Sequence, residues 1–160
     1  WTAVTNDIHG HALLLVLIIF AWTPPHFWAL AIHRKDDYAK ADIPMLPVTH
    51  GDKYTRLHIL LYTIILLVVS ILPWATKMFG PLYLIGAVVL GLGFLYWAVV
   101  LLLNKNEDAP METFKYSIIY LMALFVIMMA DHYIYPLETR LPTAEQSMFE
   151  IVPITDPQAK

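Results

Sequence analysis

Acidic and basic side chains are interleaved in a short stretch directly after the first long apolar run of the sequence. Its members are three cations, three carboxylates and one phenol: Arg34, Lys35, Lys40, Asp36, Asp37, Asp42 and Tyr38. Interleaved charge suits a metal-bridged polyphosphate, because carboxylates hold the cation while Arg and Lys bind the phosphate oxygens. The alternative interpretation is a solvated loop at a membrane edge. The rigid, proline-containing run Ile43–Val48 that follows favours a shaped binding loop.

The preceding apolar run contains two prolines and a histidine in succession. Pro24 and Pro25 lack a backbone N–H, which leaves the carbonyls of Phe20 and Ala21 without their i−4 donors. Inside a membrane this is tolerated where neighbouring groups or a water-filled cavity satisfy those carbonyls. Because His26 follows at once, we expect a kinked helix that lines a polar cavity, with the charged stretch at its mouth. The alternative is a kink that only sets the tilt of the helix.

The elements that position these residues are membrane-spanning helices. Of the 160 residues 59% are hydrophobic and 14% are charged, and there is no cysteine. A soluble domain would carry about 25% charged residues, so a water-soluble enzyme, a disordered tail and a disulfide-stapled module are all excluded. The net charge of −3 gives no basic surface for nucleic acid. Four apolar runs are long enough to span a bilayer: about 12–32, 57–76, 78–103 and 114–134.

These runs predict an all-α, polytopic transmembrane helix bundle over residues 1–135, with an extended extracytoplasmic tail over 136–160. The 33–56 loop is rich in Lys and Arg, so the positive-inside rule places it in the cytoplasm and both chain ends outside. Trp74 and Tyr83 fit an interfacial aromatic belt, and Asp131 fits a polar stop at the outer membrane surface. The chain starts at Trp1 instead of Met, and we expect it to be part of a longer protein.

The segment Trp22–Val48 resembles the protoheme IX farnesyltransferases (heme O synthases) of the intramembrane aromatic prenyltransferase superfamily. The resemblance rests on PPHFWALA, then an Arg, then Asp-Tyr, then IPMLPV at fixed spacing. It implies a nine-helix bundle around a cavity that opens to the cytoplasm, where two acidic motifs hold a magnesium-bound prenyl diphosphate. The first motif, of the NxxxDxxxD kind, is absent from this sequence. The chain would then supply the last four helices and the second motif, and we expect residues 1–160 alone to be inactive.

The resemblance also implies roles for individual residues. Asp37 would hold Mg²⁺, with Asp36 as a second candidate. Asp42 is weaker, because Ala41 stands where the superfamily's DxxxD pattern would place an Asp. The expected phosphate-binding cations are Arg34 with Lys35 or Lys40, followed by Lys53 and Arg56. Phe27 and Trp28 would shield an allylic cation, and Tyr38 would contact substrate. His26 would contact the heme iron or a propionate, or instead bond to one of the carbonyls freed by the prolines.

The implied reaction transfers a farnesyl group from farnesyl diphosphate to a vinyl group of heme B, which makes heme O for terminal oxidases. The expected location is the bacterial cytoplasmic (inner) membrane, and heme A synthase or a terminal oxidase would be downstream partners. Two alternatives remain open. One is a prenyltransferase with another aromatic acceptor, such as a quinone precursor. The other is a non-catalytic membrane module that handles heme or assists oxidase assembly.

Overall fold

A computed structural model describes residues 10–103 and 108–134. Every regular element in these ranges is helical: α1 (Gly10–His33), α2 (Lys35–Lys40), α3 (Leu46–Thr49), α4 (Asp52–Ala75), α5 (Pro81–Leu102) and α6 (Ala109–Ile134). The four long helices are each apolar and long enough to cross a membrane. The predicted all-α membrane bundle is therefore confirmed. The predicted tail over 136–160 lies outside the described residues.

The four long helices form a closed ring. Helix α1 packs against α4 and α6, and α5 packs against the same two helices. Short connections join α4 to α5 and α5 to α6, so these neighbours run antiparallel. At one end of the ring α1 ends and α4 begins. This end carries residues 33–56, and we call it the charged end.

The helices extend beyond the apolar runs at the charged end. Helix α4 begins at Asp52 and α6 begins at Ala109, each about one turn before the predicted span. Lys53 and Arg56 therefore lie on α4 and not in a loop, which corrects the expectation from the sequence. The remainder of the expected loop is also partly helical, because it contains α2 and α3. The predicted loop was too long because its charged residues were taken to lie outside the helices, whereas a helix can continue past the end of the apolar run.

Inside the ring, hydroxyl side chains bond to carbonyls of their own helices and to each other. The Ser70 hydroxyl donates to the Leu66 carbonyl at 2.7 Å and accepts from the Tyr120 hydroxyl at 2.6 Å. Tyr83 donates to the Ser70 carbonyl at 2.7 Å and is fully buried. Tyr83 is thus a core residue that ties α5 to α4, and its expected place in an interfacial belt is wrong. Such interhelical bonds stabilise bundles in which lipid offers no hydrogen-bond partners.

At the end opposite the charged end, a carboxylate on α6 caps the start of α5. Asp131 is fully buried and accepts hydrogen bonds from the Gly80 N–H at 2.6 Å and the Tyr83 N–H at 3.2 Å. These donors are among the N–H groups that a helix N-terminus leaves without intrahelical partners. The carboxylate also suits the positive end of the helix dipole. Asp131 therefore joins two helices at this end of the bundle, through a buried contact that its residue type did not predict.

Candidate functional site

The charged stretch predicted to bind a polyphosphate forms α2, directly beyond the membrane helix α1. Only Arg34 separates the two helices, and its amide bonds to the Leu30 carbonyl at 2.9 Å, so the hydrogen-bond pattern of α1 extends to this residue. Arg34, Asp36, Asp37 and Lys40 are exposed, and Tyr38 is half-buried. Two carboxylates and two cations are therefore exposed on one short helix and the residue before it, at the charged end.

A C-terminal turn of defined geometry ends α2 and sets the position of Asp42. The Ile43 amide bonds to the Tyr38 carbonyl at 3.0 Å, and the Asp42 amide bonds to the Ala39 carbonyl at 3.3 Å. This pair of bonds is a Schellman motif, in which the residue after the C-cap takes the left-handed conformation. That residue is Asp42, with φ of 53°. The exposed Asp42 carboxylate is thus held in the turn that directly follows the short helix of Asp36 and Asp37.

One of the expected phosphate ligands already has a partner. Lys35 bridges to Asp52 at 2.8 Å, which joins α2 to the first turn of α4. Arg56 lies one turn further along α4, and its Nε is buried without a hydrogen-bond partner among the described residues. A shielded guanidinium nitrogen retains strong donor capacity. Lys53 is exposed on the same turn. Of these three cations, Arg56 therefore has the clearest unmet need for an acceptor.

The acidic residues of the charged end fit a shared metal site better than a complete one. The described ranges contain no group of three or more His, Cys, Asp or Glu side chains that could enclose a metal ion. Mg²⁺ on a phosphate substrate needs only one or two protein carboxylates, because the phosphates and water fill its other positions. Asp37 and Asp36 suit that mode of binding, and Asp42 lies close by in the chain.

His26 lies on α1 at its contact with α6. Its Nδ1 is 2.7 Å from the Ser117 hydroxyl. The imidazole stacks on Trp22 at a centroid distance of 4.2 Å and on Phe114 at 4.7 Å. Trp22 donates its indole N–H to the Ser117 carbonyl at 2.8 Å, so two side chains of α1 converge on one residue of α6. The expected bond from His26 to a proline-freed carbonyl is not the one the structure shows. Helix α1 continues through both prolines.

The two aromatic candidates next to His26 have different surroundings. Phe27 is 52% exposed on the outer side of the bundle. Trp28 is half-buried against α4, where its ring meets Tyr62 edge-on at 5.3 Å and His58 at 6.2 Å. Trp28 therefore belongs to the α1–α4 contact, while Phe27 remains available to a ligand or to lipid.

Two residues that contribute to this region were not found from the sequence. Asp52 was hidden among loop charges, although an acidic residue directly after Gly51 is a recognisable start of a helix. Ser117 gave no local signal, because its partner His26 is 91 residues away in the chain. The fold alone brings them together.

Comparison with known proteins identifies the family of this chain. Residues 1–130 match the UbiA prenyltransferase family. The chain is 69% identical over 136 residues to a protein from Saccharophagus degradans named protoheme IX farnesyltransferase, and the match covers 85% of this chain and 45% of that protein. A protein of the same name from Teredinibacter turnerae is 69% identical over 137 residues, covering 86% and 44%. The chain thus spans less than half the length of these relatives. No solved structure matches it.

Proposed function

This chain belongs to the UbiA prenyltransferase family, and from that premise we propose that it takes part in transferring a farnesyl group from farnesyl diphosphate to heme B, which yields heme O. The proposal is supported most directly by the position of α2, whose exposed Arg34, Asp37 and Lys40 directly follow a membrane-spanning helix. A diphosphate at this edge can leave its isoprenoid chain in the apolar interior. The name of the 69% identical relatives supplies the acceptor.

In the proposed reaction, the bond between farnesyl C1 and the diphosphate oxygen breaks, and its electron pair leaves with the diphosphate. The vinyl group of heme B supplies the electrons of the new carbon–carbon bond. Water then captures the resulting cation and loses a proton, which gives a hydroxyethylfarnesyl group. Phe27 and Trp28 are the candidates to shield the allylic cation with their aromatic faces.

At the charged end, the protein's task is to bind and neutralise the leaving diphosphate. Arg34 and Lys40 are exposed donors for phosphate oxygens. Arg56 is a further candidate, and Lys35 would have to share its ammonium with Asp52. Asp37, with Asp36 beside it, would hold Mg²⁺, which when bound supplies further charge neutralisation to the diphosphate. Tyr38 and Lys53 are secondary contacts.

The proposed location is the bacterial inner membrane, with the charged end in the cytoplasm. The Lys and Arg residues of the 33–56 segment support this orientation. Heme A synthase or a terminal oxidase would then receive the product.

The test is a product assay on the purified full-length protein in lipid nanodiscs, supplied with heme B, farnesyl diphosphate and Mg²⁺. We expect heme O by chromatography and mass spectrometry, and no product when a hydroxybenzoate replaces heme B. Asp37→Asn and Arg34→Ala are each expected to lower turnover at least about 100-fold, the cost of about 2.7 kcal/mol of lost transition-state stabilisation.

The matched control is Glu112→Gln. Glu112 lies at the same end of the bundle but is occupied by a surface pair with Lys115 at 2.8 Å. Its substitution is expected to leave turnover unchanged. Product from the hydroxybenzoate in place of heme would assign another acceptor. Full activity in a folded Asp37→Asn protein would instead remove Asp37 from the site.

A further inference from the structure

We propose that His26 binds the iron of the heme substrate through Nε2, and that Ser117 is the positioning residue that makes this nitrogen available. The inference rests on the proposed heme acceptor and adds the atom that holds it. It follows from the direction of the hydrogen bonds around the imidazole and from the absence of a partner at its second nitrogen among the described residues.

The hydrogen bonds of Ser117 determine which imidazole nitrogen carries the proton. A serine hydroxyl has a single proton to donate. Ser117 donates it to the Phe114 carbonyl, at 2.6 Å. The same oxygen is 2.7 Å from Nδ1 of His26, so it accepts there, and Nδ1 must carry the proton. In the neutral ring Nε2 then has a free lone pair, which is the form that ligates a metal.

The aromatic neighbours orient this lone pair. Trp22 and Phe114 stack on the imidazole with interplanar angles of 22° and 27°, so one ring covers each face. The Nδ1 edge is occupied by Ser117. Rotation of the imidazole would break both stacks and the hydrogen bond together. Phe27 also meets the imidazole edge-on, with ring centroids 5.3 Å apart, so a ligand of Nε2 would lie beside the Phe27 ring.

Nε2 is also accessible. In the described part of the chain the imidazole makes no second hydrogen bond. Among the described residues, Arg56 Nε is the side-chain nitrogen that is both buried and without a partner. Nε2 of His26 lacks a partner but is not buried in this way, so a ligand can reach it. Metal-ligating histidines usually donate their other ring N–H to a fixed acceptor. The Ser117 contact supplies that feature before any ligand is present.

The depth of His26 in the bundle fits the acceptor's place. It precedes the end of α1 by seven residues, or about 10 Å along the helix. An acceptor held there lies below the charged end and within the apolar layer, where the farnesyl chain of a bound diphosphate would extend.

Absorption and electron paramagnetic resonance spectra of ferric heme B bound to the full-length protein in nanodiscs test the inference without any transfer step. We expect saturable binding with a histidine-ligated spectrum. His26→Ala and His26→Gln should lose that spectrum, and free imidazole should restore it to His26→Ala by filling the space between Trp22 and Phe114. Circular dichroism would verify that both variants remain folded.

Ser117 has its own readout. Ser117→Ala should weaken heme binding about tenfold, as is typical when a hydrogen bond to a metal-ligating histidine is removed. It should also raise the reduction potential of the iron, because the imidazole becomes a weaker donor without that bond. Ser117→Thr keeps the hydroxyl and should restore both values. A merely structural role of Ser117 would leave the reduction potential unchanged.

The matched control is His58→Ala. His58 lies on α4 near the charged end, and its Nδ1 donates to the Tyr54 carbonyl at 2.9 Å, so it offers a comparable Nε2. Its substitution should leave the spectrum unchanged. Loss of ligation in His58→Ala, or an unaltered spectrum in both His26 variants, would overturn the inference. Either result would leave the transfer assay intact, and absence of transfer with a His26-dependent spectrum would overturn only the proposed function.

Discussion

Asp42 occupies a backbone position that ordinarily selects glycine. The residue that follows the C-cap in a Schellman motif is left-handed, and Gly is its usual occupant. Asp42 adopts this conformation with φ of 53°. An L-residue with a Cβ is strained there by about 1 kcal/mol. Asp and Asn are the residues other than glycine that adopt this conformation most readily, so substitutions at this position can separate the turn from the charge.

Replacing Asp42 by glycine separates the turn from the charge. We expect Asp42→Gly to leave the free energy of unfolding unchanged or to raise it by up to about 1 kcal/mol, because the Cβ strain is relieved. Heme O formation should fall at least about tenfold, which corresponds to about 1.4 kcal/mol of lost stabilisation of the leaving diphosphate. Thermal unfolding in detergent and product chromatography measure the two effects.

Asp42→Asn provides the comparison, because asparagine tolerates the left-handed conformation and lacks the charge. It should lose activity like the glycine variant. A glycine variant that turns over at the rate of the unmodified protein would restrict Asp42 to ending α2.

Between elements, glycines on α5 allow neighbouring helices to approach closely. A Cβ at Gly86 would lie 2.6 Å from the Ile127 side chain on α6, and one at Gly91 would collide with Leu67 on α4. At Gly93 the colliding group is the Tyr116 hydroxyl, which donates to the Leu90 carbonyl at 3.2 Å. Small residues at helix contacts are typical of membrane bundles, where close packing replaces a hydrophobic driving force.

Gly93→Ala is expected to lower the free energy of unfolding by about 1 kcal/mol. Overpacking costs about 1–3 kcal/mol, and about 1 kcal/mol is recovered because alanine favours the helix. Tyr116→Phe removes the colliding oxygen, so the double variant should be more stable than the sum of the single changes predicts. A double-mutant cycle from thermal unfolding measures that coupling.

Gly10→Ala is the control for this cycle, since a Cβ there meets nothing within 4 Å. It should be neutral or slightly stabilising, and it should not couple to Tyr116→Phe. Additive effects of Gly93→Ala and Tyr116→Phe would contradict the predicted collision.

The elements differ in how far the sequence predicts them. Long apolar runs predicted the four spanning helices, because a helix that crosses a membrane needs a length and an apolar composition that are visible in the sequence. The charged first turn of α4 was not predicted, because the helix begins before the apolar run does. The burial of Tyr83 and Asp131 was missed because it accompanies hydrogen bonds to other helices, which residue type alone does not reveal. The charged candidates of α2 were found because they lie together in the chain. Ser117 was not, because it meets His26 only in the fold.

At the scale of the molecule, each of the four long helices packs against two neighbours in the ring, and the outer faces of the ring are apolar. Phe20, Ile85 and Met122 are each more than 60% exposed and lie on three different helices. Such faces suit lipid, and they equally suit further helices. The chemical groups are distributed unevenly, because the exposed carboxylates of the proposed diphosphate site all belong to α2 and the turn that ends it.

Residues 1–160 expressed alone are therefore expected to insert and fold but to form no heme O. Each spanning helix contacts two neighbours in the ring, which favours helical, membrane-inserted protein. Yet the described acidic residues form no metal-enclosing group, and the chain matches only 45% of the Saccharophagus degradans relative.

Co-expression with the part of that relative outside the match should restore heme O, because it would supply the missing groups from a second side. Circular dichroism and chromatography of heme extracts, in a host without its own heme O synthesis, measure both outcomes. Heme O from residues 1–160 alone would contradict the two-sided site and assign the whole reaction to these four helices.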